Sequence, residues 1–419
     1  MRVKPVVWLL LSTVAVAIVW LYESRILLPW ENFYYVKTDT FAANLGDLYT
    51  PWFGTRSLLR EGKNPYGPEV TREIQTAFYG HPLVQDYAPG ARVMDEQRFA
   101  YPLYVVFLLA PTVGMNFAAL HQAAGLVWAI VVLLGVRLWI SVAGWRIPAA
   151  QALAVGLFIV VSPQVAQGLR WRQLGVIVGF LLALGTWLTV REHLAAAGAV
   201  LAFSTIKPQM ALLPLVWFLF WSVSDLRRRW RLLVGFCIAW LILVGACEAI
   251  LPGWHRDFLA GLAAYRRYGP VISLLQIITG GTAGILFGAI AVVAFLPWAW
   301  RNRRCAAGSP EFGVILATFL LAAVLAFPLM MAANQILLIL PVLIVLRDWA
   351  RLPKAARATF VLFASWPWMV SLVLLLFPPP VKSLHMVPLL PSVLALFMPF
   401  LLTILLVLRR RSTSVAAEI

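Results

Sequence analysis

The chain has 419 residues, of which 62% are hydrophobic and 12% charged, about half the charged share of a soluble domain. A soluble globular protein is excluded and an all-α polytopic membrane protein is implied, because the apolar runs are continuous and lack the alternation of barrel strands. The net charge of +17 does not point to nucleic acid, because the basic residues form short clusters at the ends of apolar runs rather than one basic soluble face.

The first run, Val6 to Leu21, follows Arg2 and Lys4, so it predicts an anchoring helix that starts on the cytoplasmic side. Ala15-Val16-Ala17 resembles a signal-cleavage site, but the run continues through Ile18-Val19-Trp20-Leu21 and reads as an anchor. Residues 23–98 are the one long polar segment, expected outside. They hold ten of the 17 Asp and Glu residues: Glu23, Glu31, Asp39, Asp47, Glu61, Glu69, Glu73, Asp86, Asp95 and Glu96. A catalytic carboxylate is expected from this loop. Leu48, Trp52 and Leu59, spaced by four and then seven, predict an amphipathic helix on the membrane surface, ended by Gly62 and Pro65.

Apolar runs at 101–117, 120–142, 149–166, 173–190, 194–223, 232–251, 281–300, 311–328, 333–346, 358–377 and 387–408 complete a prediction of about 12 transmembrane helices with a cytoplasmic C-terminus. Segment 194–223 contains Ser204-Thr205-Ile206-Lys207-Pro208-Gln209. It reads either as one broken helix or as two short spans, and the second case requires an earlier re-entrant segment. Arg227-Arg228-Arg229 with Arg231, Arg301 to Arg304, Arg347 to Arg357 and Arg409-Arg410-Arg411 mark cytoplasmic ends. The outer loop 252–280 carries His255, Arg256, Asp257, Arg266 and Arg267, and the short loop Pro378 to Pro388 adds Lys382 and His385. Cations gathered opposite an acidic loop suit an anionic lipid substrate.

Cys237, Cys247 and Cys305 have neither disulfide-framework nor metal-ligand spacing, and no Walker motif or dinucleotide fingerprint is present. No metal or cofactor is expected. An enzyme facing outward then needs an activated donor carried in the lipid.

Asp47 has two readings, a general base for an acceptor hydroxyl and the N-cap of the surface helix; Asp39 is the substitute base. Lys207, a charge inside an apolar run, either holds a donor phosphate or snorkels to an interface. Arg170 and Arg172, beside Gln173, grip phosphate or form an interfacial cluster, and Arg266 and Arg267 carry the same pair of readings. Glu248 is a proton-pathway group or simply the outer end of its span. Asn64, Tyr66, Tyr101, Gln209, His255 and His385 are candidates for lining the acceptor cleft.

Gly46-Asp47 after the first span, Gly62-Lys63-Asn64-Pro65-Tyr66, Tyr101-Pro102 and Lys207-Pro208-Gln209, in that order over nearly the whole chain, resemble the GT-C superfamily of membrane glycosyltransferases. The resemblance is greatest to glycosyltransferase family 87, which includes polyprenol-phosphate-mannose-dependent mannosyltransferases. Two positions depart from the family pattern: Leu103 stands where a second proline is common, and Arg172-Gln173-Leu174 where Gly-Gln-Asn is common. The resemblance implies a GT-C-like helical bundle with the catalytic base at Asp47. It also implies an inverting transfer of a hexose, mannose in those mannosyltransferases, from a polyprenyl-phosphate donor to a lipid or glycan acceptor at the outer face of the cytoplasmic membrane. The rivals are a lipid-linked sugar flippase without bond formation and a glycan ligase using a polyprenyl-pyrophosphate donor.

Overall fold

A computed structural model describes residues 4–27, 29, 45–83, 95–268, 273–327, 332–376 and 402. Among the described residues every regular element is helical. In chain order these are α1 (Pro5–Tyr22, continued by a π-helical turn, Glu23–Leu27), α2 (Tyr49–Glu61), α3 (Pro68–Tyr79), α4 (Val105–Leu109), α5 (Phe117–Val142), α6 (Ala149–Val160), α7 (Pro163–Arg170), α8 (Gly175–Val190), α9 (Leu194–Phe203), α10 (Pro208–Val223) and α11 (Leu226–Ile250). They are followed by α12 (Trp254–Tyr268), α13 (Leu274–Thr279), α14 (Gly281–Arg301), α15 (Pro310–Ala326), α16 (Ile339–Arg347) and α17 (Lys354–Leu376).

Among the described residues four helices are long and apolar enough to cross a membrane, at Pro5–Leu27, Phe117–Val142, Leu226–Ile250 and Gly281–Arg301, which makes this a membrane protein. The pair α6 and α7 is bent by 69° at Ser162, which is extended just before Pro163, because proline cannot donate the backbone bond that would continue the helix. The helices α8, α10 and α15 have 16, 16 and 17 residues. At 1.5 Å per residue they span about 25 Å, short of a ~30 Å hydrocarbon core.

Among the described residues the basic clusters share one end of the bundle. An Arg347 N–H donates to Ala143 O at 2.6 Å, an Arg229 N–H to Arg303 O at 3.1 Å, and Gly308 lies against Val190. The loops after α5, α8, α10, α14 and α16 are thereby joined. The opposite end carries α2, α3, the 95–116 segment and the Trp171–Gly175 turn. Within the bundle, small residues let α9 and α11 touch backbone to backbone: a Cβ on Gly198 would meet Leu232 O at 2.1 Å, and one on Gly235 would meet Ala195 O at 2.2 Å.

Two expectations are corrected and one open alternative is decided. Residues 101–117 do not form a span: α4 has five residues and passes into a 3-10 turn, Ala110–Thr112, because Pro102, Pro111 and Gly114 interrupt it. Residues 194–223 are two arms. α9 climbs from the basic end, a 3-10 turn Ser204–Ile206 follows, and α10 returns from Lys207 to Trp221 and Ser224, which bond Cys305 and Arg303. In α2, Leu58 (8% exposed) rather than Leu59 (43%) continues the buried stripe of Leu48 and Trp52. Asp39, His385 and the last predicted run, except Leu402, lie outside the described residues.

Candidate active site

Asp47 is placed by the backbone before its side chain does anything. Its N–H donates to Trp171 O at 2.7 Å. Gly46 makes that approach possible: its φ is +67°, and a Cβ there would lie 2.8 Å from the same oxygen. Glycine reaches this conformation without the steric cost other residues bear. The capping alternative for Asp47 is not realised, since α2 begins at Tyr49 with Leu48 at the N-cap and no side-chain cap bond. The Asp47 carboxylate instead accepts a hydrogen bond from the Gln173 side-chain N–H.

Gln173 sits in the turn that closes α7. Its backbone N–H donates to Gly168 O at 2.9 Å, and its carbonyl accepts from Trp128 Nε1 at 2.9 Å. Its side-chain oxygen accepts from Lys207 Nζ at 3.0 Å, and Lys207 Nζ also donates to Asn334 Oδ1 at 2.8 Å. Lys207 (8% exposed), Gln173 (4%) and Asn334 (5%) are all buried. Lys207 lies between the 3-10 turn and Pro208; the proline starts α10 with no N–H to satisfy and turns the chain back. Tyr104 Oη, 2.9 Å from both Thr205 O and Thr205 Oγ1, pins the same turn to the 95–116 segment. Gly175 makes room, since a Cβ there would stand 3.4 Å from both Lys207 Nζ and Asn334 Oδ1. The result is a buried string, Asp47–Gln173–Lys207–Asn334, contributed by four separate parts of the chain.

Loss of hydration pushes the Asp47 carboxyl up to about 6. The Lys207 charge and the Gln173 N–H hold it down, while Asp95 adds to the rise. Such a carboxyl is mostly ionised at neutral pH and is a better proton acceptor than an ordinary surface carboxylate. Tyr101 lies within the field of Asp47, and burial pushes its phenol up.

The other predicted residues fall into separate groups. Asn64 Nδ2 donates to Asp257 Oδ2 at 2.7 Å and Tyr66 Oη to Tyr101 O at 2.7 Å, so both tie the surface helices to the bundle. Gln209 is half-buried on the first turn of α10. Arg170 stacks on Trp171 at 6.0 Å and faces Glu23. The Arg172 guanidinium lies over Gly125 and donates to the carbonyls of His121, Leu169 and Arg170, closing the end of α7. His255 Nδ1 is 3.4 Å from Glu248 Oε2, and Glu248 Oε1 accepts from Gly253 N, so Glu248 caps the end of its helix opposite the basic loops. Arg266 and Arg267 belong to α12, but their side chains lie outside the described residues. Among the described residues no group of three or more His, Cys, Asp or Glu side chains is placed to hold a metal.

An apolar cavity of about 950 Å³ lies between α1, α6, α16 and α17, lined by Trp8, Phe158, Val342 and Phe363 and reaching Gln164 and Gln335. Gln335 follows Asn334 in the 3-10 helix Ala332–Leu338, so the cavity ends one residue from the string. No protein-family model matches the chain, and no curated protein or solved structure matches it.

Sequence reasoning missed Gln173 and Asn334 as site residues. Asn334-Gln335 inside an apolar run was the available signal, since uncompensated amides are costly at membrane depth.

Proposed function

We propose that the chain is a GT-C-type glycosyltransferase that moves a hexose, mannose by family resemblance, from a polyprenyl-phosphate carrier to an acceptor hydroxyl at the end opposite the basic loops. The observation that carries this reading is the buried string, which holds a carboxylate of raised basicity within one amide of an ammonium. In the reaction the acceptor oxygen attacks the anomeric carbon and its proton passes to Asp47. The bond from that carbon to the phosphate oxygen breaks with its electron pair, and polyprenyl phosphate leaves. Displacement from the opposite face inverts the anomeric centre. Lys207 supplies positive charge for the leaving phosphate in a water-poor site, where such stabilisation is strongest. The substrates supply every atom and electron of this exchange.

Two further features support the reading. By the positive-inside rule the basic end reads as cytoplasmic, which supports a string on the outer side, and the apolar cavity that reaches Gln335 is of a size and character to take a lipid carrier's chain. With 194–223 as two arms in place of a span at 101–117, and with the run 387–408 taken from the sequence, the reading stays at about twelve traverses.

The test is transfer of radiolabelled sugar from a panel of polyprenyl-phosphate sugars to membrane lipid extract by purified protein. Transfer by wild type that falls at least about 100-fold in Asp47→Asn is the expected result. Absence of transfer with every donor, alongside movement of a lipid-linked sugar across vesicles, overturns it in favour of a flippase.

A further inference from the structure

A carboxylate and an ammonium buried side by side would ordinarily collapse into a direct ion pair, because attraction between unit charges grows as the surroundings lose water. That pair would be useless to the reaction proposed above. The carboxylate would lose basicity, and the ammonium would arrive at a phosphate already neutralised. Here the two do not touch. The Gln173 amide stands between them with its N–H on Asp47 and its oxygen on Lys207 Nζ, and Asn334 Oδ1 draws the ammonium from the far side at 2.8 Å. Each amide is itself fixed. The Gln173 backbone is bonded on both sides, to Gly168 O and Trp128 Nε1, and Asn334 follows Ala333, whose N–H donates to Gln167 Oε1 at 3.1 Å.

We infer that Gln173 and Asn334 are positioning residues that act as a spacer and an outer anchor, keeping Asp47 and Lys207 charged but apart. The inference deepens the proposed function and rests on it for its catalytic consequence; the separation itself is a property of the resting protein. The charged and titratable groups that face Asp47 are Lys207 from the α9–α10 junction and Asp95 and Tyr101 from the segment before α4. Arg172, though next to Gln173, is turned to backbone carbonyls.

The sign of one shift tests this. If Gln173 is merely a hydrogen-bond donor, its loss leaves the Asp47 carboxylate less supported and its titration midpoint rises. If Gln173 is a spacer, its loss lets Lys207 reach Asp47, and the midpoint falls by about 1 to 3 pH units.

The experiment is an infrared difference titration of the full-length protein in lipid nanodiscs, with no ligand. The protonated-carboxyl band of Asp47 is identified by its disappearance in Asp47→Asn, then followed against pH in Gln173→Leu and in Gln173→Ala. The second variant guards against misfolding of the first, since the shorter side chain also removes the amide between the two charges and leaves Lys207 room to reach Asp47. A lowered midpoint in a variant that retains cooperative thermal unfolding is the expected result. A midpoint that rises or stays in place overturns the spacer. Sugar transfer by the same preparations separates the two claims: a lowered midpoint in a protein that transfers no sugar from any donor upholds the spacer and removes glycosyl transfer.

Discussion

The two ends of the bundle are both polar, in opposite ways. At the basic end the cations are many, and those packed against the bundle are held locally. Arg229 donates to Trp221 O, Ser224 Oγ and Arg303 O and stacks over the Trp221 ring at 4.0 Å; Arg303 stacks over Trp300 at 4.0 Å. At the other end, among the described residues, one buried lysine is held by two side-chain amides, from the turn after α7 and from the 3-10 helix Ala332–Leu338, and stands near one carboxylate. Charge number distinguishes the basic end from the other. Charge burial, with partners drawn from distant parts of the chain, marks the site at which the chemistry is proposed.

The contrast can be broken or sharpened by substitution. Asp47→Asn should lower sugar transfer by at least about 100-fold, the usual worth of a positioned base. Lys207→Met should follow, with a loss on the order of 100-fold or more in steady-state turnover, as when a group stabilising developing charge is removed. A loss of under about threefold in Lys207→Met would erase the distinction between the two ends.

Stability should move the other way at Asp47. Its folded pKa of about 6 lies above the ordinary 3.8, so the folded state binds the proton more tightly than the unfolded one. Its contribution is fully present below about pH 4 and is lost as pH rises through 6. Asp47→Asn should therefore melt higher than wild type at pH 7.5, the gap closing near pH 4 in thermal unfolding scans.

Gly46→Ala forces an L-residue to φ +67° with its Cβ on Trp171 O, a strain of about 1–3 kcal/mol. Kinetic assays should show roughly a tenfold loss of turnover as Asp47 shifts. The smallest effect belongs to the basic end. Arg229→Ala removes a cation–π contact and several bonds to carbonyls, lowering thermal stability by about 1 kcal/mol while leaving turnover within about twofold.

Much of this was legible in the residues. Sustained apolar runs disclosed the membrane class, Arg-rich run ends disclosed the shared basic end, and the acidic first loop disclosed where Asp47 would lie. The misreadings have physical causes. An apolar window at 101–117 outweighed Pro102, Pro111 and Gly114, although each breaks a helix. Lys207-Pro208 was visible as a break, but whether the chain passes through it or doubles back depends on what it packs against. Gln173 and Asn334 were the least visible, because their roles depend on partners 126 residues (Asp47–Gln173) and 127 residues (Lys207–Asn334) away, beyond the reach of any local period. The Leu58–Leu59 error is one step of helical phase, decided by which face α2 turns to the bundle.

The most direct measurement is the pH dependence of kcat/KM for sugar transfer in wild type and Asp47→Asn. The account predicts a wild-type rate that falls about tenfold per unit below about pH 6, as the base takes up its proton, and a residual Asp47→Asn rate that is flat across the same range. An Asp47→Asn profile that keeps the wild-type acid limb would contradict it and place the base on another residue.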